Sequence, residues 1–332
     1  MSASTFHIER ALPAAHPTPH GAPAAMEATP TAVRHHPSLT TTVPKEYVHR
    51  ASVAEVMLTG WQRLGTHRFT VSAQWPRLHG YFATVDGHHD PLLVAETIRQ
   101  AGLLLAHTEY AVPLGHQFLM WDLSVDTRPE HLLITSTPAA PEIDVTCSDV
   151  KHRGTTISGL HLKVVIRRDG HIAATGAATF NCTSPAVYRR LRAARTGPDA
   201  PTPLPLTSPL APQDVGRLSP TDVVLSPTST PDCWQLRADT RHPVLFDHPV
   251  DHIPGMVLLE AARQATTAHL NRPCLPTTIH SHFTRYAELD TPCHITAHTL
   301  TPHPTQPAQP QQVLITGHQN NTPIFTTTIT TT

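Results

Sequence analysis

Two short patterns in this chain bring acid, base and amide side chains together. Glu96, Arg99 and Gln100 stand at i, i+3 and i+4, and Glu260, Arg263 and Gln264 repeat that spacing 164 residues later. On a helix these positions share one face. A carboxylate there can act as a general base or orient a hydroxyl, and a guanidinium can meet a phosphate or a developing oxyanion with its planar fork of donors. On an amphipathic surface helix a Glu-x-x-Arg pair is ordinarily a solvent-facing ion pair. Here the neighbours argue otherwise, because Leu92, Leu93, Val94, Ala95, Ile98, Ala101, Leu103, Leu104 and Leu105 make the first segment apolar nearly all round. Such a helix is enclosed by other structure, and charge buried on it is costly unless it is paired or used.

A second set of reactive residues precedes the second helix, in HPVLFDHPVDHIPGMVLLEAARQA from His242 to Ala265. His248 can move a proton, Gly255 lets a backbone approach a ligand, and the free N–H groups at a helix start can polarise a thioester carbonyl. The run resembles the signature of hotdog-fold 3-hydroxyacyl-carrier-protein dehydratases at His248, Pro254, Gly255 and Glu260. It departs from that signature where His248 stands closer to the Pro-Gly turn, and the first repeat, HHDPLLVAE, has no Pro-Gly at all. Asp247, His248, Asp251 and His252 have the composition of a metal cluster, but Pro249 and Pro254 interrupt any continuous helix there, so no metal is expected. Neither a G-x-S-x-G elbow nor a Gly-rich phosphate loop occurs, which leaves no signature for a covalent serine route and no cofactor expected.

The elements that must carry these residues follow from the pattern. The first helix starts at Pro91 after Asp90, a fair N-cap, and the second carries Pro254 in its first turn. Strands are expected at FLMWDLSVD, HLLITST, LKVVIRR and IAATGAATF in the first repeat, the last two joined across Asp169-Gly170. Their counterparts are HFTRYAEL, HITAHTL, QVLITGH and IFTTTIT. Asp126-Thr127 and Asp290-Thr291 supply a second match at the 164-residue offset. One helix and a meander of β-branched strands in each half predict an α+β fold with antiparallel sheet.

Residues 1–43, rich in Ala, Pro, Thr and His without a hydrophobic period, read as a disordered arm, and residues 193–216 as a Pro-rich linker. The two repeats are then residues 44–192 and 217–332, each large enough to bury a core. A formal net charge of −1 gives no field suited to nucleic acid or an anionic membrane. The five cysteines are odd in number and widely spaced, so they read as reduced thiols. With no spanning segment and no secretory signal pattern, a cytoplasmic location is expected.

Longer segments carry a family resemblance. KEYVHRASVAEVMLTGW (Lys45 to Trp61), FTVSAQWPRLHGYF (Phe69 to Phe82), HDPLLVAETIRQAG and FDHPVDHIPGMVLLEAARQA resemble the A-factor (γ-butyrolactone) biosynthesis family. The resemblance implies a tandem, or double, hotdog: two long helices, each wrapped by an antiparallel β-sheet, forming a pseudo-dimer within one chain. It also implies a β-ketoacyl transfer from an acyl-carrier-protein thioester to the hydroxyl of dihydroxyacetone phosphate, on the way to a signalling butyrolactone. The site residues it implies are Glu96, Glu260 and Arg263, with Arg99 and Gln100 beside them. With His248 as a proton carrier and Gly255 and Gln264 as further substrate contacts, these are the candidate site. A thioesterase, a dehydratase and a non-catalytic acyl-binding module remain alternatives at this point.

Overall fold

The computed structural model describes residues 39–154, 156–195, 201–300 and 310–332. Twelve strands form one antiparallel sheet in the order β1-β2-β4-β5-β6-β3-β9-β12-β11-β10-β8-β7. The first-half strands are β1 (Leu58–Gly65), β2 (Arg68–Ala73), β3 (Gln117–Thr127), β4 (Glu142–Arg153), β5 (Thr156–Arg168) and β6 (His171–Thr183). Those of the second half are β7 (Leu225–Pro227), β8 (Cys233–Leu236), β9 (Pro276–Phe283), β10 (His294–Leu300), β11 (Gln311–Gln319) and β12 (Thr322–Thr331). Counted outward from the central β3–β9 pair, each strand of one half has its counterpart at the same place in the other. The halves thus repeat about a local two-fold axis, and the fold is a tandem hotdog.

The two long helices, α1 (Pro91–Thr108) and α3 (Gly255–Leu270), lie against this sheet and touch each other; a short α2 (Pro185–Leu191) follows β6. Asp90 caps α1 by accepting the Leu92 N–H at 2.8 Å, with Pro91 at the first position, where its missing N–H is no loss. Every residue of α1 from Pro91 to His107 is buried except Arg99, and α3 is buried without a break from Met256 to Thr267. Enclosure follows from the apolar faces, since each buried Leu or Ile contributes roughly 1.5–3 kcal/mol. The β5–β6 hairpin turns on Asp169 and Gly170, and β11–β12 turns on Asn320 and Asn321 at the same place. All four residues have positive φ, as a two-residue turn matched to strand twist requires.

Several sequence expectations land differently. HLLITST forms no strand: residues 129–131 make a 3-10 turn, and the segment pairs with the 85–89 turn through His89 N–H to Leu132 O at 2.8 Å and Ile134 N–H to Gly87 O at 2.8 Å. The strand in that place is β4, with Ile143, Val145 and Cys147 facing inward. HFTRYAEL overlaps β9 only at His282 and Phe283, because the strand begins at Pro276. The second repeat match also dissolves: Asp126 lies within β3 opposite Thr278, whereas Asp290 sits in a turn, ion-paired to Arg195 at 2.6 Å.

The expected arm lies outside the described residues as far as residue 38, and residues 196–200 of the expected linker do too. Val43 is buried, its N–H bonded to Leu58 O at 2.9 Å. Residues 201–216 run along the second half, with Leu204 N–H on Leu289 O and Leu210 N–H on Leu225 O, both at 2.9 Å. The 3-10 turn Pro212–Val215 mirrors Lys45–Val48, so the second repeat begins inside the stretch whose prolines read as linker. Among the described residues, no helix is long and apolar enough to cross a membrane.

Candidate active site

The glutamate of each long helix is the hub of a buried cluster. Glu96 is fully buried and accepts from Arg50 Nε at 3.0 Å, Arg99 Nε at 2.8 Å, Arg99 Nη2 at 2.7 Å and Gln100 Nε2 at 2.6 Å. Glu260 repeats the arrangement with Arg217 Nε at 2.7 Å, Arg217 Nη2 at 2.6 Å, Arg263 Nε at 3.0 Å, Arg263 Nη2 at 2.6 Å and Gln264 Nε2. Burial alone would raise both carboxyls. The flanking guanidiniums prevail and hold each at about 2, so both glutamates are ionised, with their lone pairs taken by donors.

Gln100 and Gln264 are fully committed as well. Each donates to a backbone carbonyl, Glu55 O at 2.7 Å and Asp222 O at 2.8 Å, and each accepts a backbone N–H, from Met57 and from Val224, both at 3.0 Å. They tie their helices to the chain entering β1 and β7.

Arg50 and Arg217 are the members that reading the glutamate stripe alone does not reveal. A signal for them exists, since Val48-His49-Arg50-Ala51-Ser52 and Val215-Gly216-Arg217-Leu218-Ser219 share three residues in five at an offset of 167. The second copy stands in the Pro-rich stretch, and that offset differs from the 164 of the helices, which hides the pairing.

The two clusters stand differently towards the cavity between the helices. A cavity of about 230 Å³ lies between the helices, lined by His49, Arg50, Arg99, Asp247, His248 and Gly255 and by an apolar wall that includes Leu103, Phe118, Met120, Phe180, Leu259 and Phe283. Arg99 is the cluster member with an open edge: its side chain is 21% exposed, and among the described residues its Nη1 has no hydrogen-bond partner. Glu96, Glu260, Gln100, Gln264 and Arg263 stand outside the lining. Arg263 lies beside Glu260, buried as the sequence predicts, but it does not face the cavity. In its half the equivalent space holds Tyr81, buried, with its ring 4.4 Å from the Arg217 guanidinium.

The helix starts differ in the same sense. Asp90 places its own carboxylate on the first turn of α1. Its counterpart on α3 is Pro254, which has no side-chain cap, so the Gly255 and Met256 amides lack an intrahelical acceptor where the helix meets the cavity. His248 is half-exposed at the rim and bonds through Nδ1 to Asp247 Oδ1 at 2.6 Å; Asp247 also accepts the Ala51 N–H at 2.8 Å. Asp251 and His252 form a separate pair, tied to Tyr188 and Arg192 of the first half. Together the site offers a cavity with an apolar wall, helix amides without an intrahelical acceptor, a guanidinium edge and imidazoles, a set suited to acyl transfer.

The A-factor biosynthesis hotdog domain matches residues 31–184 and 199–332, nearly the whole chain. The chain belongs to the A-factor biosynthesis hotdog family. It is 55% identical over 288 residues to the 2-oxo-3-(phosphooxy)propyl 3-oxoalkanoate synthase of Streptomyces virginiae, covering 86% of this chain and 96% of that protein. To the protein of the same name from Streptomyces coelicolor it is 44% identical over 289 residues, covering 86% and 90%. Among solved structures, the 12:0-ACP thioesterase from Umbellularia californica superposes with a TM-score of 0.48 at 9% identity, over 82% of this chain and 99% of that one, too loose a likeness to bear on the reaction.

Proposed function

We propose that this member of the A-factor family is a 2-oxo-3-(phosphooxy)propyl 3-oxoalkanoate synthase, an acyltransferase moving a β-ketoacyl group from a carrier-protein thioester to the hydroxyl of dihydroxyacetone phosphate. The observation that carries this reading is the cavity between the helices, lined by an uncapped helix start and by Arg50 and Arg99, the two arginines held on Glu96. The apolar wall takes the acyl chain. The Gly255 and Met256 N–H groups donate to the thioester oxygen and stabilise the charge it gains as the tetrahedral intermediate forms.

Arg99, with its free edge, meets the phosphate of the acceptor, a task for which a planar donor fork suits better than an ammonium. Glu96 holds Arg99 and Arg50 in place and is itself too well paired to take a proton. Glu260 and Arg263 do the same for the second helix, setting the angle at which α3 presents its amino end. His248, oriented by Asp247 at the rim, meets the carrier arm or exchanges a proton there. These assignments are testable together. Incubation with a β-ketoacyl carrier protein and dihydroxyacetone phosphate is expected to yield a phosphorylated ester detectable by mass spectrometry. Free acid alone would make the protein a thioesterase, dehydration of a 3-hydroxyacyl thioester would make it a dehydratase, and no turnover at all would leave a binding module.

A further inference from the structure

The two repeats differ at one position in a way the fold does not require. His49 follows the turn Lys45–Val48 with φ 52° and ψ 53°, in the left-handed region. Its counterpart after Pro212–Val215 is Gly216, with φ 66° and ψ 35°. A residue with a Cβ is disfavoured there and glycine is not, so the second repeat uses the easy residue while the first keeps an imidazole in a strained conformation. Strain of this kind collects where a side chain has work to do. The imidazole lines the cavity beside Arg99, in the half whose cluster opens onto it.

The ring's protonation pattern follows from its partners. His107 Nδ1 lies 2.7 Å from Val112 O, and a carbonyl only accepts, so Nδ1 carries the hydrogen and His107 Nε2 is a bare acceptor. His49 Nε2 is 2.9 Å from that atom and must donate to it. The lone pair of His49 is thereby fixed on Nδ1, and Phe118 braces the ring edge-on at 5.2 Å. Burial, helped by His107 and Arg99, pushes the imidazole down to about 3, so it enters the reaction neutral.

We propose that His49 is a catalytic residue of the transfer, the base that accepts the hydroxyl proton of the acceptor on Nδ1, with His107 as the positioning residue that fixes its tautomer. This rests on the acyl-transfer reading above. As the acceptor oxygen attacks the thioester carbon, its proton moves to Nδ1 and the carbonyl π electrons move to oxygen. Collapse of the intermediate reforms the carbonyl and breaks the C–S bond. The electron pair leaves on sulfur, and Nδ1 returns the proton to the thiolate. The imidazole ends neutral, ready for another turnover.

His49→Gly tests this directly, because the second repeat shows that glycine suits the turn. The variant is expected to melt no lower than the unmodified enzyme and to bind the acyl carrier protein equally well, yet to lose transfer by about 10²–10⁴-fold. Added imidazole, entering the space left beside His107, is expected to restore part of that loss. His107→Phe is expected to lower kcat with KM little changed. Transfer by His49→Gly within about twofold of the unmodified enzyme overturns the proposal, as does a loss that imidazole does not relieve and that comes with weaker thioester binding. Transfer that survives His49→Gly and disappears in His248→Gln overturns it too and makes His248 the base. An unmodified enzyme that forms no ester overturns the acyl-transfer reading and this proposal with it.

Discussion

Arg50 and Arg217 each bridge the two halves of the molecule in the same way. Each binds the glutamate of its own long helix and sends Nη1 to a backbone carbonyl of the opposite half, Arg50 to Val244 O at 3.0 Å and Arg217 to Tyr81 O at 2.6 Å. The two arginines therefore lock the repeats together while saturating the buried carboxylates. Removing one leaves part of a charge and a carbonyl unpaired in the interior. Arg217→Ala is expected to cost about 3–5 kcal/mol in urea unfolding, on the scale of broken buried ion pairs. A loss under 1 kcal/mol would show that Arg263 alone suffices for Glu260.

The two Glu-x-x-Arg pairs look alike in sequence but are expected to respond differently to the same substitution. Arg99 lines the cavity with its side chain 21% exposed, whereas Arg263 is 3% exposed, gives Nε and Nη2 to Glu260 and stands outside the lining. Arg99→Lys is expected to fold normally and raise the KM for dihydroxyacetone phosphate at least tenfold, since an ammonium cannot replace the fork. Arg263→Lys is expected to lower the melting temperature with acceptor KM little changed. Steady-state kinetics and thermal melts on both variants decide the matter, and the reverse pattern would move the phosphate site to the second helix.

That contrast also marks where the sequence stops being informative. Apolar neighbours made the burial of Glu96 and Glu260 legible, and Asp90-Pro91 announced the start of α1. Strand β4 was hidden because its outward positions, Glu142, Asp144, Thr146 and Ser148, are polar and break up the apolar run, and Glu142 and Asp144 are also of low strand preference. HLLITST, by contrast, has strand-like composition, but the turn at Pro129–His131 diverts it onto the 85–89 loop. Which of two near-identical clusters would face open space was not legible, because that depends on Tyr81 packing over Arg217 across the repeat boundary.

Acid is expected to destabilise the protein in two stages. Folding holds the His49 imidazole at about 3 and that of His89 at about 4, against a usual 6.5, so below pH 6.5 the unfolded chain binds protons that the folded one refuses. Stability falls with pH through that window. Below pH 4.5 the paired Glu96 and Glu260 add a second loss, since their stabilisation is present above 4.5 and disappears as pH drops towards about 2. Urea midpoints measured from pH 8 to 4 are expected to start declining near 6.5 and to steepen below 4.5. His49→Gly is expected to decline less between 6.5 and 4.5, and an unchanged slope would mean that His49 is as readily protonated folded as unfolded.

Asp90 and Pro254 hold the same place at the starts of α1 and α3, and exchanging their chemistry tests what the open helix end is for. Pro254 already has the extended backbone of an N-cap, φ −60° and ψ 147°, which Asp adopts readily. Pro254→Asp is therefore expected to fold and to cap α3 as Asp90 caps α1. The new carboxylate would occupy the free amides and repel the oxyanion that forms there, so transfer is expected to fall by about 10²–10³-fold, the scale of losing an oxyanion donor. Pro254→Ser, which caps without a charge, is expected to lose less. If Pro254→Asp transfers at the unmodified rate while melting no lower, the amino end of α3 takes no part in the chemistry, and the thioester oxygen must instead be held by the guanidiniums of Arg50 and Arg99 that line the cavity.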